Sequence, residues 1–434
     1  SLNKKLNLSK NNYYREKFIE NRNNMRATWQ IINEIIGKKT NNIDETVLKN
    51  FKNVNTINIV NNFATSFNQN VQNIIHNCDI KTINVIPTTV QNSMYFTPTC
   101  EEEVFNILKN LNTKKGAGMD GLRPKDIQTN ANYLTPIITV LINSSISNSC
   151  MPDLLKISLI RPIYKSGAKS DYNNYRPISI LSVVEKIIEE IIVRRLTEFL
   201  NKYNIINKNQ FGFQKDKNIN KLLGNFSNFI NKSLSEKNHC LSLFIDFSKA
   251  FDTLSHSKLI ETLERNGIRG NCLNWFKSYL RYRSYRVKIE DKLSEKVVSQ
   301  HGVPQGSKLG PILYLLYAND MINQLKNSTT FAYADDTAVI VSHKNIKTAT
   351  EIMQDQLNIV GKWCHDNGLV INATKTKIMH IRPPHFKNSN ITIKFHDTDC
   401  LHKINIINNN HDTCNTLIEL VDTYKYLGVY VNNI

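Results

Sequence analysis

Phe331-Ala-Tyr-Ala-Asp335-Asp336-Thr-Ala-Val-Ile-Val341 sets two short apolar arms around a pair of adjacent aspartates. The arms have strand character, and the pattern predicts a β-hairpin with acids at its tip. Tight hairpin turns favour Asn-Gly or Asp-Gly, because the backbone there needs positive φ. This tip has no glycine, and its two carboxylates repel each other. Such a local conflict is expected chiefly at functional sites, where something else compensates. A divalent cation held by hard carboxylate oxygens, with water and phosphate completing its shell, would do so. A solvated acidic turn gives no reason for such apolar arms.

Working outward, Leu241-Ser-Leu-Phe-Ile-Asp246 reads as a strand that ends on an acid. A turn through Phe247-Ser-Lys-Ala-Phe251-Asp252 follows, and a helix is expected from about Ser255. An acid at a strand's exit is well placed to meet a ligand, although alone it is more often a cap or an ion-pair partner. Between the two acidic stretches lies His301-Gly-Val-Pro-Gln305-Gly306-Ser-Lys-Leu-Gly310-Pro311. Its glycines allow close backbone approach, Gln305 offers an amide, and Pro311 suits the first turn of a helix.

The chain has 434 residues, enough for roughly two to four domains. Hydrophobic residues are 41% and charged residues 21%, which describes a globular rather than a disordered protein. Lysine and arginine outnumber acids by 55 to 37, a net +18 that suits a polyanionic partner such as nucleic acid. No apolar run approaches the length of a membrane span, and the basic, polar N-terminus carries no secretion signal. The eight cysteines form no Cys-x-x-Cys pair, so the expected setting is reducing and intracellular, nuclear or cytoplasmic. Cys400, His402, His411 and Cys414 offer zinc-like ligands, but their spacing matches no usual knuckle. A polar loop with surface histidines is the better reading. The chain opens on Ser1, which reads as a fragment.

Residues 1–95 read as a partly helical accessory or connector region. Tyr13 to Gly37 has the spacing of one helix, with Phe18, Met25, Trp29, Ile32, Ile35 and Ile36 on a shared face. Thr40 to Thr97 is rich in asparagine and reads as a loose connector. Thr97-Pro-Thr-Cys-Glu101-Glu102-Glu103 is a helix start with acids in its first turn. From there helices alternate with short strands.

These segments resemble reverse transcriptases, specifically those of non-LTR (LINE-type, jockey- and CR1-like) retrotransposons. Asp246 to Asp252 resembles motif A, Gly302 to Pro311 motif B, and Tyr333-Ala-Asp335-Asp336 motif C. Glu103 to Gly121, Tyr175-Arg176-Pro-Ile-Ser-Ile-Leu181 and Gln210-Phe-Gly-Phe213 are similar to markers of the fingers. Trp363 to Thr376 looks like motif D, and Tyr424-Lys-Tyr426-Leu427-Gly428 like motif E, the primer grip. The resemblance runs from about residue 96 to the end.

It implies an α+β right-hand polymerase fold with most of the thumb absent. Residues 96–240 would hold the fingers with the first palm elements, 241–345 the palm with motifs A to C, and 346–434 motifs D and E. The implied enzyme is an RNA-directed DNA polymerase, a nucleotidyltransferase that takes an RNA template, a DNA primer and deoxynucleoside triphosphates. Two Mg²⁺ ions, with Mn²⁺ as a substitute, would be held by Asp246, Asp335, Asp336 and the Phe247 carbonyl. Phe251 would exclude a ribose 2′-hydroxyl, Gln305 would touch the nucleotide or the nascent pair, and Lys165 and Arg176 would bind the triphosphate. Lys375 would protonate the pyrophosphate, and Tyr426, Leu427 and Gly428 would form the primer grip. Lys169 competes with Lys165, and Lys377 with Lys375. Rival readings are another lineage, group II intron-like or telomerase, or a catalytically dead nucleic-acid-binding relic. No reading of oligomeric state follows from the sequence.

Overall fold

The computed structural model describes residues 2–22, 24–36, 43–51, 54–75, 90–383, 391–396 and 415–433. The chain forms two compact units, Ser1–Thr56 and Ile57–Ile434. The first carries helices α1 (Leu2–Glu20), α2 (Met25–Ile35) and α3 (Ile43–Asn50). The single helix expected from Tyr13 to Gly37 is thus two. The break falls at Asn21 and Arg22, and the Asn24 side chain accepts the Ala27 N–H at 3.1 Å to start α2 afresh. Its apolar residues do not all share a buried face: Ile31 is buried and Ile32 half-buried, but Trp29, Ile35 and Ile36 are exposed. Gly37, the expected stop, lies outside the described residues.

The second unit begins within α4 (Thr56–Ile75). This helix replaces the loose connector expected there. Asparagine is a poor helix former, but Ile59, Val60, Phe63, Ala64 and Phe67 recur at helical spacing and are buried. The asparagines have partners: Asn61 Oδ1 accepts the Glu295 N–H, and Asn62 and Asn70 donate to Tyr172 and Asn173. The chain then runs through α5 (Glu101–Lys109), α6 (Pro124–Thr129), α7 (Ala131–Ser147), β1 (Ile157–Tyr164), β2 (Tyr175–Ile180), α8 (Val183–Lys202) and α9 (Ile219–Ser235). Next come β3 (His239–Ile245), α10 (His256–Arg265), α11 (Gly270–Leu280), β4 (Ser284–Ile289), β5 (Lys292–Leu293), β6 (Val297–Val298) and α12 (Leu309–Gln324). It finishes with β7 (Thr329–Tyr333), β8 (Asp336–His343), α13 (Ile346–Asn367), β9 (Lys377–Ile381), β10 (Lys394–His396), β11 (Asn415–Leu417), β12 (Glu419–Leu420), β13 (Thr423–Tyr426) and β14 (Val429–Asn432).

Two sheets organise this unit. The first has the order β2-β1-β4-β5, with β6 on β4. The second has the order β12-β9-β3-β8-β7, with β3 central and antiparallel to both β8 and β9. Every residue of β3 is buried because both faces of the sheet are covered. Leu241, Leu243 and Ile245 enter the main core with residues of α10 to α13, while Cys240 and Phe244 face Phe226, Ile230 and Tyr426. That double burial explains why β3 reads as a continuous apolar run rather than an alternation. Among the described residues no helix is long and apolar enough to cross a membrane.

Candidate active site

Hydrogen-bond register brings the acids together. Strand β3 pairs with β8 from His239↔His343 to Ile245↔Thr337, so Asp246 leaves the sheet beside Asp336. Strands β7 and β8 close a hairpin with Tyr333 opposite Asp336, leaving Ala334 and Asp335 as a two-residue turn. The positive φ that such turns need falls on Ala334, at 56°. A side chain in that conformation costs on the order of 1–2 kcal/mol. The expected conflict between turn geometry and sequence is therefore present as backbone strain one residue before Asp335.

The carboxylates share one field. Asp335 is pushed up first by burial and then by Asp246, and Arg176 pulls it back down. Asp336 is pushed up to about 6 by burial, Asp335 and Asp246, in that order. Among the described residues no three His, Cys, Asp or Glu side chains close into a ready-made metal cage. The donor set is nevertheless all hard oxygen, and its crowded negative charge is of the kind a divalent cation relieves, with phosphate and water filling the remaining positions. The exit of β3 is strapped down from behind. Ser248 N–H donates to the Val370 carbonyl and Asn372 N–H to the Asp246 carbonyl, both at 2.8 Å, and Asp246 N–H donates to Thr376 Oγ1 at 3.2 Å. The Phe247 carbonyl takes no part in this strap.

Cations ring the acids. Lys375 Nζ lies 3.8 Å from Asp246 Oδ2. Lys377 instead donates to Glu419 Oε2 and the Thr374 carbonyl, each at 2.5 Å. Lys165 is pushed down by burial and by the charges of Lys375 and Arg176, with Asp246 opposing. Lys169 turns away and sits over the Tyr164 ring, 5.7 Å from its centroid. Lys165, Arg176, Lys375 and Asp246 therefore lie within one another's fields, and the two competing lysines lie elsewhere.

Phe251 stacks on the buried Tyr314 of α12, with ring centroids 4.6 Å apart, and stays half-exposed. The 301–311 loop docks against its backbone: Val303 N–H donates to the Phe251 carbonyl and Gly302 N–H to that of Leu254. Gly302 has φ 75°, and a Cβ there would come within 2.5 Å of the Asp252 carbonyl oxygen, so both shape and space require glycine. Gln305 Nε2 donates to both oxygens of Asp252, at 2.7 and 2.8 Å, which orients the amide and turns Oε1 away from Asp252. At the far end, Leu427 and Gly428 form the turn between β13 and β14, both with positive φ. The Tyr426 hydroxyl donates to the Phe331 carbonyl at 2.8 Å, which ties that hairpin to β7.

Sequence reasoning missed three supporting residues: Asp252, which holds Gln305; Thr376, fully buried behind Asp246; and Gln210, whose buried amide contacts the Asp335 turn. Gln210 carried a signal in the Gln-Phe-Gly-Phe marker, but nothing local says what the amide would meet. The Cys400, His402, His411 and Cys414 grouping lies outside the described residues.

Comparison with known proteins gives the family. Residues 163–431 match the family described as reverse transcriptase (RNA-dependent DNA polymerase). The chain is 28% identical over 304 residues to the probable RNA-directed DNA polymerase from transposon BS of Drosophila melanogaster, covering 68% of this chain and 33% of that protein. It is 31% identical over 282 residues to the RNA-directed DNA polymerase from mobile element jockey of the same species, covering 63% and 31%. For the jockey protein of Drosophila funebris the figures are 28% over 357 residues, 80% and 36%. The chain thus spans about a third of the length of these relatives. A match across more than half of the sequence, centred on the strands and turns that bring Asp246, Asp335 and Asp336 together, shows that the chain belongs to the reverse transcriptase (RNA-dependent DNA polymerase) family.

Proposed function

We propose that this chain is the RNA-directed DNA polymerase of a non-LTR retrotransposon, extending a DNA primer on an RNA template. In the family's right-hand fold, the β2-β1-β4-β5 sheet belongs to the fingers and the β12-β9-β3-β8-β7 sheet to the palm. One observation carries the reading: acids from two adjacent strands meet at one end of the sheet, within the fields of Lys165, Arg176 and Lys375. A nucleotide triphosphate needs that juxtaposition of metal ligands and phosphate donors.

Asp246 and Asp335, with Asp336 and the Phe247 carbonyl beside them, would hold two Mg²⁺ ions. Bound there, such ions supply Lewis acidity to the primer 3′-hydroxyl and neutralise the departing pyrophosphate. Lys165 and Arg176 grip the triphosphate and set its in-line orientation. Lys375 gives a proton to the pyrophosphate oxygen as it leaves. Phe251, braced on Tyr314, fills the space a 2′-hydroxyl would need, and the Tyr426–Gly428 turn supports the primer end. The relatives' printed names support the substrate class, since they are RNA-directed DNA polymerases of mobile elements.

Primer extension on an RNA template with Mg²⁺ and deoxynucleotides tests this directly, beside Asp335→Asn. The expected result is extension by the natural chain and loss of at least about a hundredfold in the variant, the scale of several kcal/mol of metal-borne charge stabilisation. Template binding should be nearly unchanged in the variant. No extension by the natural chain, with template bound, would favour the non-catalytic reading.

A further inference from the structure

The turn that carries Asp335 does not hold its own shape. Ala334, at φ 56°, needs outside support. Both of its backbone polar groups are met by one side chain. Gln210 Oε1 accepts the Ala334 N–H at 2.9 Å, and Gln210 Nε2 donates to the Ala334 carbonyl at 3.3 Å. The same Oε1 accepts the Gly212 N–H at 2.9 Å. Gln210 is 1% exposed, so water does not compete for these bonds. The side-chain amide acts as the peptide group of a neighbouring strand would.

Its backbone is fixed just as firmly. Phe211 N–H donates to the Ala332 carbonyl at 2.7 Å, and Ala332 N–H donates to the Asn209 carbonyl at 3.0 Å. Residues 209–211 therefore extend the sheet edge past β7. Lys217 Nζ and Gln214 Nε2 both donate to the Gln210 carbonyl. Asn207 N–H anchors the segment on Asn319 Oδ1 of α12 at 2.7 Å. Gly212 completes the fit, since a Cβ there would come within 2.5 Å of the Ala334 nitrogen.

We propose that Gln210 is a positioning residue for Asp335: its amide clamps the strained Ala334 turn so that the Asp335 carboxylate faces Asp246 in a metal-binding arrangement. The proposal rests on the reading of Asp335 as a metal ligand. An amide is required because the site needs an acceptor for two N–H groups and a donor for a carbonyl at once. Relaxed toward negative φ, Ala334 would re-aim the next side chain. Groups that orient a metal's ligands typically matter by about ten- to a hundredfold in metal affinity.

The test compares the natural chain with Gln210→Met, Gln210→Glu and Gly212→Ala. Mn²⁺ binding is followed by electron paramagnetic resonance of the free ion, and Mg²⁺ dependence by primer extension. Hydrogen exchange of the 329–340 segment, by mass spectrometry, reads the turn without metal. Gln210→Met removes both roles of the amide. Its Mn²⁺ affinity and Mg²⁺ half-saturation should worsen by about tenfold or more, with faster exchange at the turn. Gln210→Glu keeps an acceptor for the Ala334 and Gly212 N–H groups, so it should fall between the natural chain and Gln210→Met. Gly212→Ala presses on the same turn and should show the same signature if Gln210→Met does not fold. A role in stability alone would lower the melting temperature but leave the folded protein's Mn²⁺ affinity unchanged, and that result overturns the proposal. So does a natural chain that binds no Mn²⁺. If the natural chain binds Mn²⁺ but extends no primer, the polymerase reading falls while the Mn²⁺ series still decides the clamp. If it extends primers and the folded variants keep their metal affinity, the clamp falls and the polymerase reading stands.

Discussion

Phe251 is half-buried and stacks on Tyr314, so in its proposed role as sugar gate its truncation would open space beside the nucleotide. Phe251→Ala is expected to reduce the preference for deoxyribonucleotides over ribonucleotides by about ten- to a hundredfold, the scale of steric discrimination in a pocket. Competition between the two nucleotide types in single-addition assays measures it, and an unchanged ratio in an active enzyme returns Phe251 to a packing role. The two motif D lysines separate in the same way. Lys375 faces Asp246, whereas Lys377 is engaged by Glu419 and Thr374. Lys375→Ala should slow nucleotide addition by about a hundredfold or more, as loss of a general acid does. Lys377→Ala should change it far less. Equal effects in rapid-quench measurements would refute the assignment.

Elements are tied together by a buried ionic network. Glu185 and Glu189 stand one helical turn apart on α8, and both are fully buried. Arg283 donates to Glu185 at 2.6 Å, the Tyr279 hydroxyl donates to Glu189 at 2.6 Å, and the Lys308 N–H just ahead of α12 donates to the other Glu189 oxygen at 2.7 Å. Burial pushes Glu185 up to about 7 against the pull of Arg283. This network joins α8 to the loop that carries Gln305. Removing one partner of such a pair leaves a buried charge uncompensated, which costs about 3–5 kcal/mol. Arg283→Met should lower stability by that amount in urea titrations, and Arg283→Met with Glu185→Leu should recover much of it. A double variant no better than the single one would show that packing, not charge, holds α8 here.

At the scale of the molecule, the net charge of +18 predicts how the chain holds nucleic acid. Phosphate contacts release counterions, so log K should fall by roughly 0.9 per contact per log unit of salt. With about six contacts or more, affinity for template–primer should drop about a thousandfold between 50 and 200 mM salt. Asp335→Asn should share that slope, because in the proposed mechanism the acids would hold metal rather than phosphate. Fluorescence anisotropy across a salt series measures it, and a flat dependence would mean the excess positive charge is only a solvated surface.

The sequence by itself determined the family, the hairpin with acids at its tip, the strand ending at Asp246 and the helix starts at Glu101 and near Ser255. The family shows in the joint order of several motifs from about residue 96 to the end, whereas the hairpin, the strand and the helix starts are written locally, in apolar spacing, capping residues and turn chemistry within a dozen residues. It misjudged the N-terminal stretch, because helical spacing alone could not show the break before Asn24, and because many asparagines masked the buried stripe of α4. Only the tertiary structure decided which of two neighbouring lysines faces Asp246, that Asp252 orients Gln305, and that Gln210 supports the Asp335 turn. Those choices depend on contacts between residues 53 to 129 positions apart. A side chain's local neighbours fix its secondary structure, but which distant group its amide or ammonium meets is set by how the strands register and the helices pack.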